Sequence, residues 1–314
     1  MDKEQNDEQR DKRDIDRKVD EEILKKDVSP WMDAIKRRWY KFRANRLSIL
    51  GLSIVLICVF LAIFADFITP HPSHVGYYHN YDAAFIEPFK TLKYPLGTDQ
   101  YGRGILTRII FGFRYSFRMA AVVLTLVVPT GTILGLIAGY NKNTWIDTLI
   151  MRSSDIFVAV PPLVLALSIT SMMEASAENA MFAISLGWWP WYTRITYNNV
   201  SSLVNEDYIR ASELMGASKL HIMFRELFPN SMGPILTKAT LDVGLVILIG
   251  ASLSFVGLGA QPPTPDLGTM VAKGSEWLPS YWWVTVFPAI AISFIIFGAN
   301  LLGDGIQDAF EEGG

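Results

Sequence analysis

Six apolar runs, each close to the length of a bilayer crossing, alternate with polar segments along the chain: Leu47–Ile68, Met119–Gly139, Leu149–Thr170, Asn179–Tyr197, Ile235–Leu258 and Trp282–Leu302. About 20 mostly apolar residues in a helix cover the roughly 30 Å of bilayer hydrocarbon. The second run holds Pro129, the third is interrupted by Pro161-Pro162, the fourth is less apolar and rich in Trp, and the fifth carries Asp242 near its start. A proline inside such a helix frees a backbone carbonyl that neighbouring helices must satisfy. The pattern therefore predicts an all-α membrane protein whose six transmembrane helices pack as one bundle.

The polar segments predict an orientation. Residues 1–29 hold 8 Lys/Arg and 11 Asp/Glu with almost no apolar run, too little apolar surface to offset chain entropy, so a disordered tail is expected; a mixed-charge helix over Ile15–Leu24 is the alternative. Residues 30–46 form a basic pre-membrane segment with Lys36, Arg37, Arg38, Lys41, Arg43 and Arg46. The positive-inside rule sets that end in the cytoplasm. The first run, 47–68, is too long for the apolar part of a cleaved signal peptide and reads as a retained anchor. Residues 69–118 then form an external loop. Residues 119–303 form a five-helix core whose cytoplasmic loop spans 205–230, and residues 304–314 form a cytoplasmic tail. Against this orientation, Arg103, Arg108, Arg114 and Arg118 precede the second run on the outer side, where an interfacial helix with snorkelling side chains accommodates them. Trp188, Trp189, Trp191, Trp277, Trp282 and Trp283 fall near predicted span ends and read as an interfacial belt, with the lining of a substrate path as the alternative.

Composition sharpens this picture. Half of the residues are hydrophobic and 19% are charged, against about 25% in soluble proteins. Cys58 is the single cysteine, which excludes an internal disulfide and leaves it to pack as a small hydrophobe. Charges at membrane depth are costly, and the spacings Arg152/Asp155 and Lys238/Asp242 allow local ion pairs with no run of carboxylates for a proton relay. Gly131, Gly135 and Gly139 recur every four residues, as close helix packing requires. No G-x-x-x-x-G-K-[ST] loop is present, so ATP is not expected to bind this chain through one. His71, His74, His79 and Asp82 share a loop, but their spacing fits no structural zinc site. No catalytic residue is expected.

The loop at 205–230 reads as structured. Asn205 is positioned to cap a helix from Glu206, with acidic residues in the favourable first turn. Gly216 suits the left-handed residue that ends it. Ser218 is positioned to cap a second helix, Lys219 to Leu227, ended by Pro229. The small residues Ala211, Ser212, Gly216 and Ala217 leave room for close approach by another protein; a plain amphipathic hairpin lying on the membrane is the alternative.

The string Tyr208-Ile209-Arg210-Ala211-Ser212-Glu213-Leu214-Met215-Gly216-Ala217-Ser218, followed by Leu227-Phe228-Pro229-Asn230, resembles the EAA loop of ABC importer permeases. Three further segments match the dipeptide and oligopeptide (DppC/OppC-like) branch. Gly97-Thr98-Asp99-Gln100-Tyr101-Gly102-Arg103 resembles its GTDxxGRD motif, with Gly104 in place of the final Asp. Ser254, Phe255, Gly257 and Gly259 stand in an LSFLGLG-like segment, and Asn300, Gly303 and Asp304 in an NLLGDGL-like one. The resemblance implies a type I permease bundle in the cell membrane. It implies that Tyr208, Arg210, Ala211, Ser212, Leu214, Gly216, Ala217, Leu227, Phe228 and Pro229 form the loop that docks on an ATPase subunit. It also implies the partners: a homologous (DppB/OppB-like) permease, two ABC ATPase subunits that bind the ATP and Mg, an extracellular or periplasmic binding protein, and the lipid bilayer, with no nucleic acid. The expected cargo is a peptide, with oligosaccharides or nickel as alternatives within the branch. A stand-alone carrier or channel, or a non-transporting scaffold, are readings of another class.

Overall fold

The computed structural model of the chain describes residues 30–310. The charged tail at 1–29, with its Ile15–Leu24 alternative, and the last four residues lie outside the described residues. The fold is helical, and extended pairing among the described residues is limited to one bridge between Thr98 and Gly104. The principal helices are α1 (Pro30–Ala44), α2 (Arg46–Ile63), α3 (Ala65–Ile68), α4 (Ile105–Tyr140), α5 (Trp145–Val158), α6 (Pro162–Thr170), α7 (Ala177–Leu203), α8 (Asp207–Leu214), α9 (Lys219–Phe255), α10 (Leu267–Ser275) and α11 (Trp283–Phe310).

Four of these, α2, α4, α9 and α11, are long and apolar enough to span a bilayer. The bent pair α5–α6, which meets at 83° across Pro161-Pro162, makes a fifth if it counts as one span. The fourth predicted run lies in α7, which is long but too polar to qualify by composition. Two boundaries move. The second span begins at Ile105 rather than Met119, so Arg108, Arg114 and Arg118 sit on the spanning helix itself and not on a separate interfacial one. Arg114 shows why the helix tolerates them: its Nε donates to the Ala62 carbonyl at 2.8 Å and its Nη2 to Ile63 O at 3.1 Å and Asp66 Oδ2 at 2.8 Å. A guanidinium there satisfies carbonyls at the negative end of α2. At the other extreme, α11 continues to Phe310, so residues 304–310 are helix packed on α1 and α2. Gly305 faces Ser48, and Asn45 Nδ2 donates to Asp308 Oδ2 at 3.1 Å.

The most extensive helix–helix contact is that of α4 with α7. A Cβ at Gly135 would stand 2.6 Å from both Thr193 O and Thr196 Cβ, and Gly131 and Gly139 meet Tyr192 and Val200 in the same way. The glycine series thus serves packing within this chain.

At the centre, the wholly buried Asp242 of α9 accepts from Trp188 Nε1 at 2.9 Å and Tyr192 Oη at 2.8 Å, both on α7, and from Lys238 Nζ at 2.5 Å. The Lys238–Asp242 spacing is therefore a structural pair, and it recruits two further donors. Asp155 accepts from Arg194 of α7 as well as lying 3.6 Å from Arg152, so the local pair read from spacing is the outer part of a triad. Two of the belt tryptophans are buried instead: Trp188 holds Asp242, and Trp283 donates through Nε1 to Thr98 O at 3.3 Å. An indole N–H at depth takes a partner, and these two found theirs inside the protein. Trp277 and Trp282 are exposed.

Removing one side of a buried ion pair strands the other. Asp242→Ala is expected to destabilise the bundle by about 3–5 kcal/mol, and Trp188→Phe by about 1.5–3 kcal/mol through loss of one hydrogen bond to a charged group. Thermal unfolding in detergent, read by tryptophan fluorescence, checks the ranking; equal, negligible shifts would show that the knot is incidental.

Candidate functional site

The segment joining α7 to α9 forms a two-armed knob. Its first arm, α8, starts one residue later than the sequence predicts. Glu206, extended at φ −67° and ψ 147°, takes the cap position and its carbonyl accepts from Ile209 and Arg210. The Asn205 amide instead donates back to Ser201 O at 3.4 Å, and so belongs to the end of α7. The arm closes in a Schellman arrangement: Gly216 adopts φ +85°, its N–H reaches Glu213 O at 2.9 Å, and Ala217 N–H reaches Ser212 O at 3.0 Å. A side chain at a left-handed residue costs roughly 1–2 kcal/mol, and Gly216 avoids it.

Ser218 caps the second arm, accepting from His221 N at 3.3 Å. This arm does not end at Pro229. It runs unbroken from Lys219 to Phe255 as α9, through a π-helical turn at Ile222–Leu227 in which Phe228 N–H reaches back to Met223 O. A proline ring clashes with the carbonyl four residues earlier in a regular α-helix. The wider π turn relieves that clash, so Pro229 is accommodated as the helix passes from the knob into the span.

The knob has two faces. Inward, Ile209, Ile222, Met223 and Leu227 are buried with Leu136 of α4 and Val200 of α7, and Ala217 and Phe228 pack at the edge. Tyr140 Oη donates to Glu213 Oε1 at 3.3 Å, and Asn230 Nδ2 donates to Tyr208 Oη at 3.3 Å. Outward, Leu214 is 90% exposed and Met215 81%, joined by Leu220, Phe224, Arg210 and Ala211. Of the residues expected to dock, Leu227 is thus interior and Phe228 and Ser212 half-buried. Sequence reasoning passed over Leu220 and Phe224, whose i,i+4 spacing put both on one exposed helix face. It also passed over Ile209, whose burial pins α8 to the bundle.

The GTDxxGR segment is a folded loop, and its chemistry goes into its own backbone. Asp99 Oδ1 accepts from the N–H groups of Tyr101 and Arg103, both at 2.9 Å, and Oδ2 from Arg103 Nε at 2.7 Å. Thr98 Oγ1 donates to Ala83 O at 2.6 Å and accepts from Ile86 N at 2.8 Å. Gly97 and Gly102 take φ +79° and +73°, each with backbone pressed against it. Gly104 caps α4 without a side chain, and its N–H donates to His74 Nδ1 at 2.9 Å. No cluster of metal ligands forms among the described residues; His74 is buried in a stack with Tyr78, His71 and Tyr94.

The two remaining motifs shape helix ends and contacts. Gly257, at φ +91°, closes α9 in a second Schellman turn, with Leu258 N–H on Leu253 O at 2.9 Å. Ser254 is buried against Gly259, while Phe255 is exposed. In α11, Gly303 lies against Leu241 of α9, while Asn300 and Asp304 are exposed.

The sequence matches the family described as binding-protein-dependent transport system inner membrane component over residues 131–313, and the N-terminal TM domain of oligopeptide transport permease C over residues 29–88. It is 37% identical over 289 residues to the dipeptide transport system permease protein DppC of Alkalihalophilus pseudofirmus, covering 90% of each chain. It is 37% identical to the di/tripeptide transport system permease protein DppC of Pseudomonas aeruginosa, covering 88% of this chain and 91% of that one. With the dipeptide transport system permease protein DppC of Escherichia coli it shares 38% identity over 89% of this chain and 93% of that one.

Burial lowers the His74 pKa to about 4, helped by the neighbouring His71. The unfolded chain binds this proton near pH 6.5 and the folded chain only near 4, so the unfolded form holds more protons in between. Stability is expected to be full above pH 6.5 and to fall, by at most about 3 kcal/mol, as pH drops towards 4. Unfolding midpoints across that window, compared with His74→Gln, check this; a variant with the same pH slope would assign the loss elsewhere.

Proposed function

The chain belongs to the family of binding-protein-dependent transport system inner membrane components, and on that premise we propose that it is the membrane subunit of an ATP-driven importer of short peptides. Relatives spanning nearly the whole chain include dipeptide and di/tripeptide permeases, which supports a peptide cargo over oligosaccharides or nickel. The partners proposed are a homologous second permease, two ATPase subunits that bind ATP and Mg, and an external binding protein. In the membrane the chain crosses six times, with both termini cytoplasmic. The bent α5–α6 pair supplies the third crossing and α7 the fourth. A helix walled in by α4, α5, α6 and α9 is shielded from lipid by its neighbours and need not be apolar all round.

The observation that carries the reading is the knob: an exposed apolar surface at Leu214, Met215, Leu220 and Phe224 on a base fixed to α4, α7 and α9. Such a patch marks a protein contact, and a rigid base is what a pulling partner needs. ATP binding closes the two ATPase subunits and shifts the knob, and the bundle switches between outward and inward openings. Within the spans, Asp242 is held by three donors, which leaves it ill suited to the proton relay of a stand-alone carrier.

Leu220→Glu, on the exposed face, is expected to change stability by no more than about 0.5 kcal/mol while reducing peptide uptake and transport-coupled ATPase activity at least tenfold in proteoliposomes carrying all partner subunits. Gly216→Val, which costs about 1–2 kcal/mol at the left-handed position, is expected to reduce uptake and coupled ATPase activity as strongly, with insertion intact. Wild-type uptake in both variants would remove the coupling role.

A further inference from the structure

A cavity of about 150 Å³ opens between the loop at 77–103, the N-terminal turn of α4, the segment at 262–264 and α10. Arg108 lines it and is only 5% exposed. Among the described residues its guanidinium donates to one acceptor, the His74 carbonyl at 3.3 Å, and forms no ion pair. The acid that lines the same cavity is already committed, since both oxygens of Asp99 are taken by Arg103 and two backbone N–H groups. Asp266, buried at the cap of α10, accepts from Thr269 N at 2.8 Å and is close enough for its charge to act on Arg108, though the two form no ion pair. Arg103, paired with Asp99, also lines the cavity, and Lys273 adds a third cation at the rim, 3.4 Å from the exposed Glu276. A buried guanidinium with only one of its N–H groups taken up by the protein is costly, so an acceptor in the cavity is strongly favoured.

We propose that this cavity is a binding site for a small carboxylate, held by the planar fork of Arg108 with Lys273 at the rim. Arg103, Arg108 and Lys273 against Asp99 leave the lining of the cavity positive, which suits a small anion. The fork pairs with a carboxylate through two parallel hydrogen bonds. The volume holds about five waters' worth of atoms, enough for a carboxylate and the first residue or so behind it. Gly104 stands one helical turn before Arg108, and a Cβ there would meet nothing closer than 3.5 Å, so an aspartate placed at 104 has room to pair with Arg108 at i,i+4 spacing.

The inference concerns binding by this chain and stands apart from the transport reading: a variant that binds carboxylate but lacks uptake would break the second and not the first. Calorimetric titration of the full chain in lipid nanodiscs, in chloride-poor buffer, would use glycylglycine, its C-terminal amide and acetate as probes. Saturable binding of glycylglycine is expected, with the amide and the Arg108→Gln variant at least tenfold weaker, the loss that accompanies a charge-assisted pair. Acetate binding as well as glycylglycine would mark a site for any small carboxylate, and glycylglycine alone a site for a peptide terminus; either upholds the proposal. Gly104→Asp is expected to supply the carboxylate internally, raising the unfolding midpoint and abolishing binding of the probes. If Arg108→Gln does not fold, Gly104→Asp and the rim variant Lys273→Gln, expected to bind severalfold more weakly, decide the matter. Equal binding of acid and amide, no saturable binding of either acid, or an acidic binding protein that docks here while both acids do not, would overturn it.

Discussion

Asp242 is the point on which the bundle turns. A carboxylate with no exposure at bilayer depth is tolerable only if its oxygens are filled, and the three donors that fill them come from two helices. Trp188 and Tyr192 lie on α7, and Lys238 lies one turn before the aspartate on α9. The knot therefore fixes the rotation and depth of α7 relative to α9. These are the two helices between which the knob is strung, so its arms leave from a pair already locked together.

The remaining contacts extend this pair. The glycine ridge of α4 packs on α7 beside this knot, with Gly131 against Tyr192 itself, and Ile209 fastens α8 to the ends of α4 and α7. On the far side α11 joins α9 to α2, with Gly303 against Leu241 and a Cβ on Gly51 falling within 3 Å of Leu301. At the other end, the loop built on Asp99 and Thr98 caps α4 and is tied to α11 through Trp283. Each motif singled out in the sequence thus shapes a turn or a contact.

The legible parts of the fold were those set by local chemistry. Apolar runs located four spanning helices and the bent pair, Pro161-Pro162 located the bend, and Ser218 and Gly216 located a cap and a helix end, because each acts over a few residues. The start of α4 was missed because Arg108 and Arg114 read as surface charges, and their acceptors are carbonyls 34 to 52 residues away in sequence. Trp188 read as an interfacial residue for the same reason: its partner, Asp242, is 54 residues distant. Pro229 misled because a proline stops a regular helix but not one locally widened by a π turn. At the knob, the composition drew the eye to small residues, whereas the exposed surface is made by Leu214, Met215, Leu220 and Phe224.

The continuity of α9 through Pro229 has a mechanical meaning. From Lys219 to Phe255 it is a single rod of 37 residues, about 55 Å long at 1.5 Å per residue. The helix does not break where the knob meets the span, so a tilt of the knob passes on through the π turn and Pro234 rather than being lost in a loop. A rotation of about 5° about one end of a rod that long carries the other end through about 5 Å, roughly the width of a peptide backbone.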